Sequence, residues 1–569
     1  MAENIKLKID EYVQNISSNS AVFDNGKIKD VKQQVSCFTT WGIDLWQHYG
    51  FPARDVRKAL EYLNNKYFEP PYDISKFNLA CFYLFTTFKE DYPQCWERDF
   101  PFVFAASNKA GTPEYKVDFK LLAEYIKQKG KYFFVEDSIY LYNSDLGIYE
   151  AVSNDEFRGY IMSFVNALNC TLAKTSGIDG AFKDVKSDNG HKIDFEAFNA
   201  DRNIINFQNG ILHLDTMDLT PHSPDILSTI QIPCDWNIKG NFPVCPVFDG
   251  YLNDLSSGDD EVIRFLWQFI GHTISNVPGY KTKSALFLPG KSGAGKSQIY
   301  ALLSALVGKN NSVSFKIQEL SEKYGAFPLL GKRFAGTGDM SFAKAKEMDI
   351  FKCLTGGDKI PFEQKYKTPI STRYNGTLLF CGNDMPKFGG DKGEATYNRM
   401  IIIPCNNVIS DDKRDPDIID KIYAEREAIV FKAVQALKTV ISNGYKYDIP
   451  SVCKNETKKY KIDNDNVMQF LDECTMLRQA QYKSYQDNCT AANMYTAYAH
   501  WINENGERYQ APKSEFLKTA CQFYGFDNKE DIKHKYSGSR FYKFTLKPNF
   551  RHLIGFPDSP DDEKQIKVV

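Results

Sequence analysis

The chain lacks any apolar stretch of membrane-spanning length. Its most apolar short runs, such as "MIIIPC", fall far below the ~20 residues that a bilayer demands. No membrane partner is therefore expected. The opening "MAENIKLKIDEY" has no apolar signal core, which points to a cytoplasmic protein. Thirteen cysteines are scattered without one C-x-x-C pair. An odd, unspaced set excludes a disulfide framework and a zinc knuckle, and leaves small buried apolar residues. Nor is there an excess of charge of either sign: the formal net charge is −2. Contact with nucleic acid would have to come from local patches or an inner channel. Internal repeats and low-complexity segments are missing as well. Before residue 250 there is no zinc-ligand spacing and no Asp-x-Asp pair followed by a histidine, so a primase centre is not expected.

What is present is ordinary globular composition, 43% apolar and 25% charged, over 569 residues. That length predicts about three or four domains. Residues 1–112 read as mostly helical, a unit suited to DNA or partner binding. From 113 to 250 the pattern becomes a small α+β domain. There "YFFVED", "SIYLYN" and "IYEAVS" predict three short strands, and "IINFQNGILHLDT" predicts a strand, an Asn-Gly turn and a second strand. Residues 251–445 alternate strands with helical patterns after a capped leading helix, the signature of an α/β sheet. A compact unit follows at 466–550, and 551–569 form a tail.

Within the α/β segment, "SALFLPGKSGAGKSQIYALLSALVG" sets a short apolar strand, a glycine-rich loop and an amphipathic helix in succession. Gly290, Gly293 and Gly295 allow backbone N–H groups to turn inward around phosphates, with Lys296, Ser297 and Gln298 opening the helix. Lys296 supplies a point charge for the β- and γ-phosphates, and Ser297 a hydroxyl for Mg²⁺. This predicts a site for a nucleoside triphosphate, ATP with Mg²⁺. Such a site needs a carboxylate from a second strand, for which Asp339 in "GKRFAGTGDMSF" is the candidate. Asn383 closes the apolar strand of "GTLLFCGNDMP" and could hydrogen-bond a γ-phosphate and a water. Arg399 precedes the apolar strand of "EATYNRMIIIP" and could stabilise charge in a neighbouring subunit's site. Between these elements Lys352, Lys359, Lys365, Lys367 and Arg373 form a basic concentration. "IPFEQKYKTPI" can fold as a hairpin with Lys365 and Lys367 near its tip, placed to track phosphates without reading sequence.

Loop, acid, "KCLTGGD", strand with Asn383 and then Arg399 occur in this order within about 110 residues. The series resembles superfamily 3 helicases, the hexameric AAA+ ring motors of viruses, phages and mobile elements. It looks most like the poxvirus-type and phage/plasmid primase–helicase branch, through "LTGGD" followed by "KYKTP". "NGILHLD" and "YLYNSDLGIYEAVS" resemble the small domain that precedes the motor there. The resemblance implies a central AAA+ P-loop parallel sheet flanked by helices, a small α+β domain before it and a winged-helix domain after it. It makes Lys296 and Ser297 the phosphate and Mg²⁺ contacts, Asp339 the Walker B acid, Asn383 the sensor and Arg399 the arginine finger. Lys352, Lys365 and Lys367 become contacts to DNA. One departure is the single Asp339 where the family commonly shows a glutamate or paired acids.

The segment from "TAANMYTAYAHW" to "RFYKFTLK" reads helix, helix, hairpin and resembles the branch's terminal winged helix. Residues 506–551 hold ten Lys/Arg against five Asp/Glu. Lys513, Lys518, Lys535, Arg540 and Lys543 are its candidate phosphate contacts. The expectation is therefore an ATP-dependent homohexameric helicase and replication initiator of a phage or genomic island, acting in a bacterial or phage-infected cell. It would translocate on single-stranded DNA, unwind duplex at an origin with 3′ to 5′ polarity, and draw on a separate host- or element-encoded primase or polymerase. Two rivals stand beside it: an initiator that uses ATP only to assemble and melt DNA, and a small-molecule kinase sharing the loop.

Overall fold

The computed structural model describes residues 27–107, 113–237, 243–340, 348–386, 394–478, 489–507, 509–536 and 538–555. The first part of the expected helical unit, 1–26, and most of the expected tail, 556–569, lie outside the described residues.

Short, mostly apolar strands build the central sheet. β1 (Ala285–Pro289), β2 (Ser312–Ser314), β3 (Phe334–Met340), β4 (Thr377–Gly382) and β5 (Met400–Ile402) form one sheet in the order β2-β3-β4-β1-β5. Every pairing is parallel. Because side chains alternate along a strand, each strand feeds two cores. Leu286, Leu288, Leu379, Cys381 and Ile401 join one, and Phe287, Leu378, Phe380, Met400 and Ile402 join the other. The first core is covered by α1 (Asp260–Ile274), α2 (Lys296–Val307) and α4 (Arg426–Ser442). The opposite core takes Phe351 and Leu354 of α3 (Asp349–Gly356) and Tyr460 of α5 (Ser451–Asp463). In α2 the buried face is Ile299, Leu302, Leu303, Leu306 and Val307, as the sequence spacing predicts. The helical stretch from Ile418 to Ser442 is interrupted at Glu425, whose carboxylate accepts from the N–H groups of Val247 (3.1 Å) and Phe248 (3.0 Å). It thereby caps the helix Pro246–Ser256.

A buried arginine ties this unit together. Arg333, 2% exposed, precedes β3 and donates to the carbonyls of Thr273 (3.0 Å), His272, Val277 (2.6 Å) and Asn375. Burial lowers its pKa to about 10, so it remains charged at neutral pH. Next to it His272 is held neutral, its pKa lowered to about 3 by burial and then by the Arg333 charge.

The apolar cores do not divide where the sequence suggested. One continuous core runs from Ile28 through Phe100, Tyr132 and Phe157 to Val185, across the boundary expected at 112. The antiparallel pairing of Val103–Ser107 with Pro113–Val117 spans that same point. Asp99 braces this N-terminal unit, accepting from Trp46 Nε1 (2.7 Å) and the Ala53 N–H (2.8 Å). Conversely Ile205, Leu212, Leu214, Ile232 and Trp236 pack into the central core, so the region expected to end at 250 belongs partly to each neighbour. Both predicted strand groups exist. Residues 132–152 form a three-stranded antiparallel sheet, and Ile204–Phe207 pairs with Gly210–His213. The turn there is Gln208–Asn209, and Gly210 opens the return strand.

The last unit has its own core, Val467 to Leu553. To the expected two helices (Ala491–Glu504, Lys513–Tyr524) and hairpin (Lys533–Tyr536, Ser539–Tyr542) it adds a leading helix, Asn466–Cys474. It also pairs Thr475–Leu477 with Phe544–Leu546.

Replacing Arg333 with methionine leaves carbonyls buried without donors, each costing ~1–3 kcal/mol. The Arg333→Met protein should lose about 3 kcal/mol or more in urea unfolding followed by tryptophan fluorescence. An unchanged transition would mean that the knot does not hold the fold.

Candidate phosphate cleft and basic surfaces

β1 ends at Pro289 and the chain turns through Gly290–Gly295 into α2. A Cβ on Gly290 (φ 151°) would stand 2.0 Å from the Cys405 carbonyl oxygen, so only glycine fits. Gly295, at φ 81°, precedes a helix that no side chain caps. The first-turn N–H groups and the positive end of the helix dipole therefore face the glycine loop. Lys296 is buried, and its ammonium donates to the carbonyls of Gly290 (2.7 Å) and Lys291 (2.6 Å). Gln298 is half-buried in the first turn, its N–H bonded to the Gly295 carbonyl (2.9 Å). The Tyr251 hydroxyl supports the loop by donating to Gly295 O (2.9 Å).

Two further strands bring their ends to this loop. Between Thr337 and Met340 the register of β3 against β4 shifts, and the bulge turns Gly338 and an exposed Asp339 out of the ladder. The Ser297 hydroxyl donates to Gly338 O at 2.9 Å, which sets Asp339 next to Ser297. β4 lies between β1 and β3, and its Gly382 is paired with Pro289 on one side and Met340 on the other. Asn383 follows directly and is exposed, while the Gly290 N–H bonds the carbonyls of Gly382 (3.1 Å) and Asn383 (3.2 Å). Lys296, Ser297, Asp339 and Asn383 thus meet at the carboxyl edge of the sheet. A cleft of about 480 Å³ adjoins this edge at Gly290 and Asn383, its other walls carrying Asp384, Glu456, Lys459, Tyr460 and Asp463. An uncapped helix end, an ammonium, a hydroxyl and a carboxylate in one place suit a polyphosphate with a divalent cation.

Arg399 is not part of that group. Its carbonyl accepts from Ala285, at the opposite end of β1, roughly 16 Å of strand from Gly290 at ~3.3 Å per residue. Its guanidinium donates to Ala395 O (2.5 Å), and Nε is buried without a partner. The arginine that does reach the loop is Arg414, which the sequence reading missed. A Cβ on Gly293 would stand 2.6 Å from its Nη2, and Ile409 N–H donates to Gly293 O (3.1 Å) in the same strap. No motif marks Arg414. Its only signal is that it follows β5 in the chain.

The basic segment is mostly neutralised. Lys352 pairs with Asp349 at 2.9 Å within α3. Lys359 (3.4 Å) and Arg373 (2.8 Å) both pair with Glu196. The expected hairpin exists, Ile360–Phe362 against Ile370–Thr372, and its connection carries exposed Lys365 and Lys367. Neither has an ion pair among the described residues. Between them Tyr366 is 91% exposed at φ 64°, with the Lys365 ammonium 4.9 Å from its ring. Thr368 fastens the tip, its hydroxyl donating to Asp137 at 2.7 Å; this bond holds the Asp137 carboxyl below the usual carboxylate range.

In the last unit Lys513, Lys518, Lys535, Arg540 and Lys543 are all exposed. Lys513 lies over the Tyr495 ring (5.2 Å) and Lys543 over Phe526 (5.4 Å). Lys535 stands directly opposite Arg540 in the hairpin, a like-charge pair that destabilises the strands in the absence of an anion.

Comparison with known proteins adds two partial family matches. Residues 126–257 match the family "D5 N terminal like", and 288–399 match DUF5906, a family of unknown function. The second runs from Leu288 to Arg399 and so contains Gly290, Lys296, Ser297, Asp339 and Asn383. The uncharacterized mitochondrial protein ymf21 of Marchantia polymorpha is 24% identical over 147 residues, covering 24% of this chain and 79% of that protein. An apo structure of the NrS-1 C-terminal region aligns at TM-score 0.45 and 11% identity, covering 74% of this chain and 98% of that one. A second, of residues 305–718, aligns at 0.41 and 10%, covering 72% and 87%. These likenesses are too distant to define how the units are arranged. No helix among the described residues is long and apolar enough to cross a membrane.

Gly290→Ala should force the 403–409 segment away from the loop, read as faster amide exchange there and a lower melting temperature. Lys535→Glu should instead stabilise the last unit by up to about 1 kcal/mol, by turning a repulsive cross-strand pair into an attractive one.

Proposed function

We propose that this protein is an ATP-dependent DNA helicase and replication initiator of the superfamily 3 AAA+ type, working as a homohexameric ring on single-stranded DNA. The observation that carries the reading is selective neutralisation. Of five cations between 352 and 373, three are paired, and only Lys365 and Lys367 stand unpaired on a hairpin built from the phosphate cleft's own unit. A small-molecule kinase has no use for such a tip. The match of 126–257 to the D5 N-terminal family supports the same reading, since it covers the region expected to precede the motor.

In this reading the uncapped end of α2 and Lys296 hold the ATP phosphates. Ser297 and Asp339 would hold Mg²⁺, a reading supported by the 2.9 Å bond from the Ser297 hydroxyl to the carbonyl next to Asp339. Bound Mg²⁺ neutralises phosphate charge during hydrolysis. Asn383 orients the attacking water. Arg399, remote from its own cleft, serves the γ-phosphate of the next subunit. Lys365 and Lys367 track one strand through the ring, and the 466–550 unit acts as a winged helix whose Lys513, Lys518, Lys535, Arg540 and Lys543 grip duplex phosphates at an origin. Polarity is 3′ to 5′, priming falls to a separate primase or polymerase, and the site of action is the cytoplasm of a bacterial or phage-infected cell.

The test measures ATP hydrolysis with and without single-stranded DNA, beside unwinding of a forked duplex. Lys296→Ala should abolish both activities. Arg399→Ala should slow hydrolysis by about 10³-fold or more. Mixing the two inactive variants should restore part of it, since a shared site needs one good half from each. Lys365→Glu with Lys367→Glu should remove DNA stimulation and unwinding. Hydrolysis indifferent to DNA, with no unwinding, would overturn the reading. DNA-stimulated hydrolysis that melts only a few base pairs would favour the initiator without processive movement.

A further inference from the structure

The N-terminal unit contains a second cleft, of about 440 Å³, unconnected with the phosphate loop. It opens where the start of the helix Ala53–Tyr67 meets the helix Asn154–Asn166 and the end of the helix Phe119–Lys129. Arg54, Lys58, Lys129 and Lys131 face it, and none has a carboxylate partner among the described residues. Arg158 is held by Asp155 and Asp179, each at 2.8 Å, and Arg98, a fifth cation in the wall, is held by Asp99 at 2.8 Å. Asp99 is itself fully engaged by Trp46 and Ala53, which leaves Asp55 to face four uncompensated charges.

The wall is also aromatic, with Tyr160 and Phe164 meeting edge to face at 5.1 Å. The Arg54 guanidinium lies 4.4 Å from the Phe164 ring centroid and 5.2 Å from that of Tyr160. Its Nε is buried with no hydrogen-bond acceptor, so the guanidinium is left unsatisfied within the protein. A half-exposed aromatic ring or guanidinium accepts a planar base, and unpaired cations accept phosphate. The volume suits one nucleotide and is too small for a duplex.

We propose that this cleft binds a nucleoside phosphate, either a free nucleotide or one unit of a single strand. The inference is independent of the ATP-driven reading above. It is tested on the full chain by photocrosslinking with two probes, 5-iodo-deoxyuridine monophosphate and an oligothymidylate bearing one 5-iodo-deoxyuridine, with adducts mapped by mass spectrometry. Adducts are expected on Tyr142, Tyr160 or Phe164. Arg54→Gln and Lys131→Glu should each lower their yield about tenfold, the scale of one lost charge-assisted contact. Lys131 is exposed, so its substitution leaves the core intact, with an unchanged melting temperature as the control. Adducts from the monophosphate identify a nucleotide site, and adducts from the oligonucleotide alone identify a strand site. The proposal fails if neither probe marks these rings, or if the marks ignore both substitutions.

Discussion

Arg333 is sealed inside the protein without a carboxylate, and the carbonyls around it come from separate parts of the chain. Two close α1, one lies in the turn after it, and one precedes β4. A buried charge is tolerated only if every donor finds an acceptor. Here helix-end carbonyls serve, because they are orphaned by geometry and carry the negative end of the dipole. The neutrality of His272 belongs to the same arrangement, since a second cation beside Arg333 would be untenable. Its Nε2–H donates to the Val277 carbonyl (3.0 Å), and its Nδ1 accepts from the Tyr447 hydroxyl. Arg333 precedes β3 and Thr377 N–H donates to Arg333 O at 2.9 Å, so β3 and β4 leave from one fixed point. Their far ends, Asp339 and Asn383, are brought to the loop by strand length and, for Asp339, by the bulge in β3.

Much of this was legible in advance, and for identifiable reasons. The glycine-rich turn and α2 were, because glycine requirements and a 3.6-residue apolar period are local properties. The 360–372 hairpin and the 132–152 strands were legible for the same kind of reason: turn residues and aromatic runs act over a few positions. The unit boundaries were not. A composition change near 112 marks where helices give way to strands, whereas the core from Ile28 to Val185 follows side-chain contacts across that change. α5 was also missed, because "SVCKNETKKYKID" is polar on most faces and buries little beyond Cys453 and Tyr460.

Charge was read least well, because pairing is a tertiary property. Five cations between 352 and 373 look alike in sequence, yet Glu196, more than 150 residues earlier, silences Lys359 and Arg373 together. The same holds in reverse for Arg414, an unremarkable residue until the strap after β5 lays it against Gly293. Asp339 required the bulge in β3 before it could be distinguished from a turn aspartate.

The hairpin is anchored at both ends to the polypeptide that precedes the sheet: Glu196 grips its base and Asp137 its tip. A hydrogen bond of 2.7 Å does not stretch by ångströms, so it either breaks or carries its partner along. Any stroke of the tip larger than that must therefore uncouple from the turn at Glu136–Asp137 or work it as a crank. Through that turn the three-stranded sheet of 132–152, and the aromatic core beneath it, are geared to the hairpin.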